Sequence, residues 1–268
     1  MELYDIEKRF RDECEKDPKF FIEGAVKYTS SDSGIVPFKL WDVQLDLVDI
    51  LHEYNALIIN KCRQMGGSLT NLAYMLHYSL FNNGKNVYIM ANRLSSAEHL
   101  LECFRTMLME LPECVKPKII TNKKRCIELE NETRIFASAA MGCAVTGCHI
   151  DYLYMEEVAF GGNRYMKDFV HVIFPTMFSS ETYKIVICSS PNGFNDFYRI
   201  WVGALLNDNN FKPVAIPWWT MPGKDEEWKA DMISRIGKNR FASEFECKFI
   251  GNNILYPGQK EPRTMSFE

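Results

Sequence analysis

The chain has 268 residues, of which 47% are apolar and 25% are charged, and its formal net charge at pH 7 is −4. That length and apolar content suffice for one large globular domain or two smaller ones. The slight negative charge disfavours a general DNA-coating protein, and the basic run at 116–125 is interpreted as a solvated hairpin edge. No apolar run is long enough for a membrane span, and the acidic N-terminus differs from a signal peptide.

The nine cysteines are scattered along the chain without the paired spacing of a zinc site. An odd number in such a pattern favours reduced thiols over a disulfide framework. We therefore expect a protein of a reducing compartment.

Short apolar runs alternate with helix-forming runs through most of the chain. Strands are predicted at 56–60, 86–91, 126–130, 133–138, 151–156 and 184–190, and helices at 68–83, 94–111 and 195–206. Continuous apolar runs are typical of strands buried on both faces, and Asn131 predicts a hairpin turn between two of them. The alternation predicts an α/β fold with a mostly parallel central sheet flanked by helices.

The domain organisation follows from composition. Residues 41–211 are predicted to form the α/β core. The flanking segments 1–40 and 212–250 are richer in aromatic and charged residues and helical in pattern, so we expect them to pack together as a small helical subdomain. The segment 251–268 has Pro and Gly without periodicity and is interpreted as a linker.

The first buried strand runs directly into a glycine loop, KCRQMGGSL at 61–69. Backbone N–H groups around Gly66 and Gly67, with the N-terminus of the following helix, predict a cradle for a phosphate. A hydroxyl for Mg²⁺ is available from Ser68 or, less well placed, from Thr70. The alternative is an ordinary Gly-Gly turn between a strand and a helix.

A Walker A loop carries lysine directly before its serine or threonine, but Gly67 has that place here. A polyphosphate needs a compensating cation, because a charge pair at 4 Å is worth about 4 kcal/mol at an effective dielectric constant of ~20. Lys61 begins the loop, and its long side chain can fold back across the cradle. Arg63 is a second candidate that can reach the γ-phosphate.

Two carboxylates, Glu156 and Glu157, end the strand predicted at 151–156. In a Walker B site the first would hold Mg²⁺ and the second would polarise the attacking water. Adjacent strand residues point to opposite faces, so both serve one site only if the strand ends between them. The alternative is a solvated acidic strand end.

Two further polar features accompany these motifs. A polar turn directly follows the last predicted strand and consists of Ser189, Ser190, Pro191 and Asn192. Its side chains either sense a γ-phosphate through hydrogen bonds or belong to a plain Asn-Gly turn. Upstream, the amide of Gln44 is able to donate to and accept from an adenine edge, or it lies on the wet face of a helix.

The segments FKLWDVQ, KCRQMGGS, YLYMEEVAF and CSSPNGFNDFYRIW occur in this order. Together they strongly resemble the ATPase domain of the large terminase subunit of tailed bacteriophages, the motor that packages DNA. The similarity extends from DPKFFIEGAVKY to FASEFECKFIG and covers nearly the whole chain. It implies a P-loop NTPase fold of the ASCE type, ATP and Mg²⁺ as cofactors, and ATP hydrolysis coupled to translocation of double-stranded DNA into a procapsid.

The resemblance also implies residue roles. Many terminases have a deviant Walker A loop with its lysine at the beginning, and Lys61 matches that variant. Ser68 and Glu156 are expected to hold the metal, Glu157 and Arg63 to be catalytic, and residues 189–192 to form a coupling motif that links phosphate loss to subdomain movement. The expected nucleotide-binding residues are Gln44, Lys61, Cys62, Arg63, Gln64, Met65, Gly66, Gly67, Ser68 and Leu69.

Two residues depart from the family pattern. Glu156 stands where Asp is usual, and Thr146 stands where relatives often carry a candidate arginine finger. The arginine is therefore expected from Arg63 or from another subunit.

The resemblance further implies partners: double-stranded viral DNA, the portal protein of the procapsid, the small terminase subunit and a ring of copies of a chain that is monomeric in isolation. The expected location is the host cytoplasm, and no nuclease activity is expected, because 251–268 has no acidic cluster. A helicase-like P-loop ATPase and a degenerate nucleotide-binding scaffold remain as alternatives.

Overall fold

The computed structural model describes residues 3–30, 32–139, 149–161, 177 and 183–251. Its helices are α1 (Leu3–Lys16), α2 (Pro18–Ala25), α3 (Asp42–Glu53), α4 (Gly67–Phe81), α5 (Leu94–Met109), α6 (Asp196–Leu205), α7 (Glu226–Ile236) and α8 (Lys238–Glu244). Its strands are β1 (Lys27–Ser30), β2 (Gly34–Pro37), β3 (Ala56–Lys61), β4 (Asn86–Ala91), β5 (Ile119–Lys123), β6 (Cys126–Leu129), β7 (Arg134–Ala139), β8 (Tyr152–Glu156), β9 (Lys184–Ser189) and β10 (Lys212–Ile216). Short 3-10 turns cover Val158–Phe160 and Trp218–Thr220.

Eight strands form the central sheet, in the order β10-β3-β9-β8-β4-β7-β6-β5. All neighbours from β10 to β7 are parallel, and β6 and β5 add an antiparallel edge. The predicted α/β fold with a mostly parallel sheet is therefore confirmed. The predicted hairpin at Asn131 joins β6 to β7, and the basic run contributes the edge strand β5.

The central strands are buried on both faces, as their continuous apolar sequences predict. Along β3, Leu57 and Ile59 pack into a hydrophobic cluster with α2, α3, α4 and α5. Ile58 points the other way, into a second cluster that contains Phe197 and Trp201 of α6. This two-sided packing anchors the strands whose ends form the site, and precise sites are best supported by such packed elements.

The helical pattern predicted for the two flanking segments is wrong in two places. Lys212–Ile216 is not part of a helical segment but an edge strand that pairs in parallel with β3. Residues 27–37 form the antiparallel β1–β2 hairpin, apart from the main sheet. Both segments are short and partly exposed, so they lack the continuous apolar run that revealed the central strands. The grouping of the two flanking segments stays a prediction.

The described ranges contain seven cysteines, and all of them are free thiols. Within the same part of the chain, no helix has both the length and the apolar character needed to cross a membrane.

Candidate nucleotide site

The candidate motifs meet at the carboxyl edge of the parallel sheet. The glycine loop follows β3, Glu156 is the last residue of β8, and Ser189 is the last residue of β9. Because β9 lies between β3 and β8, these three strand ends are neighbours. Ligands of open α/β sheets bind in this position.

The backbone of the loop is shaped by two residues with positive φ, Gln64 (φ 62°) and Gly66 (φ 73°). Gly66 is also the N-cap of α4, and no side chain caps the first turn of that helix. A Cβ on Gly66 would lie 2.5 Å from Nε2 of Gln44, so this position requires glycine. The loop therefore presents uncapped N–H groups at a helix N-terminus, which suits a phosphate.

Lys61 folds back across the loop. A Cβ built on Gly67 would lie 3.1 Å from Cδ of Lys61 and 2.5 Å from Sδ of Met65. The lysine chain therefore passes through the space that a side chain at position 67 would begin to fill. Its Nζ ends 3.0 Å from Oε1 of Glu156.

Glu156 is the buried centre of the site. Its Oε1 accepts a hydrogen bond of 3.0 Å from Oγ of Ser68 and faces Nζ of Lys61, and its Oε2 accepts one from the hydroxyl of Tyr154. Burial disfavours the charged form of Lys61, but the neighbouring acidic groups, chiefly Glu156, together raise the pKa of the lysine above its usual value. The hydrogen bonds from Ser68 and Tyr154 to Glu156 offset part of the desolvation of this pair.

Glu157 leaves the strand where β8 ends. It has a left-handed backbone, with φ 52° and ψ 41°, and begins the 3-10 turn Val158–Phe160. The side chain is exposed at a cavity of about 390 Å³ that Glu156 and Ser68 also line. The strand thus ends between the two carboxylates, which is the condition under which both can serve one site.

Two hydroxyls were candidates for a metal ligand, and only one of them lies at the cavity among the described residues. Thr70 is buried, and its Oγ1 donates to the carbonyl of Gly66 at 3.2 Å. Ser68 instead contacts Glu156 at the cavity. A serine hydroxyl and a carboxylate side by side are hard oxygen donors that fit Mg²⁺.

Arg63 does not point at this carboxylate centre. Its Nε lies 3.5 Å from Oε2 of Glu244 in α8, its guanidinium lies 5.8 Å from the centre of the Phe160 ring, and its backbone N–H donates to the carbonyl of Glu244. Among the other side chains of the loop, Cys62 and Met65 are buried in the core, Leu69 packs against it, and Gln64 is exposed.

Gln44 is buried, and both ends of its amide have partners within the protein. Oε1 accepts the backbone N–H of Trp41 at 3.0 Å, and Nε2 donates to the carbonyl of Met65 at 3.0 Å. The residue therefore joins the start of α3 to the glycine loop. Its contact with an adenine stays a prediction.

The predicted coupling motif at 189–192 is bonded to both of its neighbours. The N–H of Ala159, in the turn after Glu157, donates to Oγ of Ser189 at 3.1 Å, and its carbonyl accepts from Nδ2 of Asn192 at 3.1 Å. On the other side, Oγ of Ser243 in α8 donates to the carbonyl of Pro191 at 3.0 Å. The motif therefore links the carboxylate strand to the C-terminal helix.

The sequence analysis missed four residues that contact these motifs. Tyr154 was detectable, because it lies two residues before Glu156 and so faces the same side of the strand. Asn195, whose Nδ2 donates to the carbonyl of Ala159 at 2.8 Å, lies inside a recognised segment. Glu244 and Ser243 lie far along the chain from their partners and leave no local signal. Thr146 lies outside the described residues.

Comparison with known proteins places these features in a family. Residues 58–258 match the family described as terminase large subunit, T4likevirus-type, N-terminal. The chain belongs to this family.

Solved structures of other large terminases have a similar fold. The Thermus phage P74-26 large terminase ATPase domain matches with a TM-score of 0.62 and 17% identity, over 80% of this chain and 95% of that one. The large terminase of bacteriophage HK97 gives 0.62 and 17%, over 86% and 48% of the two chains. A large terminase from a thermophilic bacteriophage, in complex with ATP-gamma-S, gives 0.60 and 10%, over 78% and 52%. This terminase chain spans about half the length of the latter two proteins.

Proposed function

We propose that this cleft binds ATP with Mg²⁺ and hydrolyses it to drive the packaging of viral DNA. The family supplies the general activity, since the ATPase domain of a large terminase is a DNA-packaging motor. One observation carries the assignment to this cleft: Lys61 and Ser68, from the two ends of the glycine loop, converge on Glu156 at the end of β8. The large terminase of the thermophilic bacteriophage, which shares the fold, has been solved with ADP and with ATP-gamma-S.

The glycine loop would hold the phosphates. N–H groups at the start of α4 would donate to the phosphates, and Lys61 would exchange its contact with Glu156 for the β- and γ-phosphates. Ser68 and Glu156 would hold Mg²⁺, which supplies neutralisation of the charge that develops on the phosphates. The exchange keeps the ammonium of Lys61 paired in both states, so binding does not leave a buried charge without a partner.

Glu157 would act as the general base. It is exposed at the cavity while Glu156 is buried, so only Glu157 is free to approach a water molecule on the solvent side of the phosphates. A carboxylate placed in this way accepts the proton as water attacks.

The reaction also needs an arginine, which would come either from this chain or from another copy of it. An arginine at the developing charge gains roughly 10³ to 10⁵ in rate, and a threonine at position 146 cannot supply it. Arg63 would have to leave Glu244 to act in cis, and otherwise another copy would supply the group in trans. A trans arginine predicts that the ATPase rate per subunit rises steeply with protein concentration and on a procapsid, whereas a cis arginine predicts a constant rate.

The residues at 189–192 would transmit phosphate loss to the rest of the domain. Ala159 follows the catalytic carboxylate closely and is bonded to Ser189 and Asn192, while Pro191 is bonded to α8. A shift of the turn after Glu157 would therefore displace α8 through these contacts. Asn192→Ala is expected to retain ATP binding and lose DNA packaging.

The assembly proposed for this motor is a ring on the portal of the procapsid, in the host cytoplasm, acting on double-stranded DNA with the small terminase subunit. The expected lack of nuclease activity is a separate prediction. Incubation of the chain with plasmid DNA and Mg²⁺ or Mn²⁺ tests it, and cleavage that a point mutation in the chain removes would contradict it.

The experiment for the cleft itself compares two serine variants. Ser68→Ala should abolish Mg²⁺-dependent ATP hydrolysis, because it removes the hydroxyl beside Glu156. Ser234→Ala is the matched control, since the Ser234 hydroxyl is exposed and donates to the carbonyl of Asp231 within α7. If Ser68→Ala hydrolyses ATP as fast as the wild type, the metal is not held here.

A further inference from the structure

The two oxygens of the Glu156 carboxylate have separate partners. Oε1 faces Nζ of Lys61 and accepts from Oγ of Ser68, each at 3.0 Å. Oε2 accepts a hydrogen bond from the hydroxyl of Tyr154, which is fully buried in β8. One oxygen is therefore shared with the glycine loop, and the other is held within the strand.

The strand fixes the tyrosine in place. Tyr154 is paired with Ile89 of β4 on one side and with Val186 of β9 on the other. Its ring belongs to the hydrophobic cluster that also contains Leu72 of α4. Residues two apart on a strand face the same side of the sheet, so the phenol and the Glu156 carboxylate lie side by side on a packed element.

A second buried tyrosine on the same strand lacks such a bond. Tyr152 faces the same side of β8 and is equally buried, but within the described residues its hydroxyl has no hydrogen-bond partner. Burying a hydroxyl without a partner is unfavourable, and the bond to Glu156 avoids that cost at Tyr154. The two tyrosines therefore form a matched pair, of which only Tyr154 holds the candidate metal ligand.

The bond from Tyr154 limits what Glu156 can offer to a cation. A nucleotide that draws Lys61 to its phosphates would free Oε1, while Oε2 would stay with the tyrosine. A carboxylate that offers one oxygen suits Mg²⁺, which demands near-ideal octahedral geometry. Ca²⁺ accepts more ligands and often takes both oxygens of a carboxylate, so the hydroxyl of Tyr154 disfavours Ca²⁺ at this site.

We propose that Tyr154 is a positioning residue that restricts Glu156 to one metal-facing oxygen and so selects Mg²⁺ over Ca²⁺. The inference rests on the proposed function, because it needs Ser68 and Glu156 to hold the metal of a bound nucleotide. Tyr154 would contact neither the nucleotide nor the metal and acts through the carboxylate that it holds.

The test is calorimetric binding of ATP-gamma-S, measured once with Mg²⁺ and once with Ca²⁺. Tyr154→Phe keeps the ring and removes the hydroxyl, so Oε2 of Glu156 becomes free for the larger ion. The ratio of the affinity with Mg²⁺ to that with Ca²⁺ should fall roughly 10-fold, the lower end of what a hydrogen bond to a charged group is worth. Tyr152→Phe is the matched control and should leave this ratio at the wild-type value, since its hydroxyl has no partner among the described residues.

A double variant shows whether the tyrosine acts through Glu156. Glu156→Gln removes the carboxylate, so adding Tyr154→Phe to it should change the affinity ratio no further. A further fall of the ratio in the double variant would mean that the tyrosine acts by another route, and would overturn the inference.

The remaining outcomes separate this inference from the proposed function. An unchanged ratio in Tyr154→Phe, equal weakening with both ions, or the same fall in Tyr152→Phe would overturn the role of Tyr154 and leave the proposed function standing. A wild-type protein that binds ATP-gamma-S with neither ion would overturn the proposed function and this inference with it.

Discussion

Lys61 and Glu156 form a buried ion pair, with Nζ 3.0 Å from Oε1 and side-chain exposures of 13% and 8%. Lys61 is the last residue of β3 and Glu156 is the last residue of β8, which lies two strands away in the sheet. A buried pair of this kind adds little net stability, because desolvation of both charges offsets their attraction. The pair instead fixes the position of the ammonium: it holds Nζ of Lys61 beside the glycine loop, where position 67 has no side chain.

Substitutions of the two carboxylates are predicted to have different effects on ATP binding and hydrolysis. Glu157→Gln should bind ATP almost normally and hydrolyse it at least ~100-fold more slowly, because a positioned general base is lost. Glu156→Gln should weaken Mg²⁺-dependent binding, because it removes the charge that faces Lys61 and Ser68. Paired binding and turnover assays on both variants check this, and a reversal of the two phenotypes would show that the roles are exchanged.

Release of Arg63 is predicted to favour catalysis if this arginine acts in cis. Glu244→Gln removes the charge that faces its Nε at 3.5 Å. The arginine side chain is substantially exposed, so the pair is worth about 1 kcal/mol at most and the gain in ATPase rate should not exceed about fivefold.

The control for this change is Glu226→Gln, which breaks an exposed contact with Lys229 in α7. Two results together would exclude the cis role: an unchanged ATPase rate in Glu244→Gln and an active Arg63→Ala variant. They would favour an arginine from another subunit.

Gly67→Ala is predicted to reduce ATP binding, though less than loss of Lys61. The new Cβ would meet Sδ of Met65 and Cδ of Lys61, and both belong to flexible side chains that are able to shift. Gly66→Ala should reduce ATP binding further, because an alanine is strained at this positive φ and its Cβ would clash with the buried amide of Gln44. Dissociation constants for ATP-gamma-S rank the variants, and an equal effect of the two alanines would contradict the packing described.

Stability at mildly acidic pH is predicted to depend on His77. Burial lowers the pKa of His77 from 6.5 to about 4, and its Nε2 lies 2.9 Å from the carbonyl of Cys14. Below pH 6.5 the unfolded chain binds a proton that the folded chain does not. The contribution of His77 is therefore complete above pH 6.5 and is lost as the pH falls toward 4, by up to about 3 kcal/mol.

Urea unfolding of the wild type and His77→Gln between pH 7 and pH 4.5 measures this contribution. The glutamine keeps an N–H donor but does not titrate, so its free energy of unfolding should fall less steeply as the pH drops. Parallel losses in the two proteins would assign the acid sensitivity to other groups.

The parts of the fold that the sequence predicts are those with local signals. Strands β3, β4, β8 and β9 are continuous apolar runs. The resemblance predicts that Lys61 replaces the missing lysine, and the structure places its Nζ beside Glu156. The short strands β1, β2 and β10 are only partly buried, so their sequences resemble those of loops or helices.

Contacts between distant segments were beyond the reach of sequence patterns. Nothing local in Arg63 indicates that it pairs with Glu244, and nothing in Gln44 indicates that its amide holds Trp41 and Met65. Polar side chains with several available partners are assigned by the tertiary fold, not by their spacing.

The ATP hydrolysis rate of Lys61→Ala tests the central claim, that the lysine at the start of the loop serves the phosphates. The account predicts loss of hydrolysis in this variant and partial recovery in Lys61→Ala with Gly67→Lys, since a side chain at position 67 begins where the Lys61 chain now passes. Hydrolysis by Lys61→Ala at the wild-type rate would contradict it.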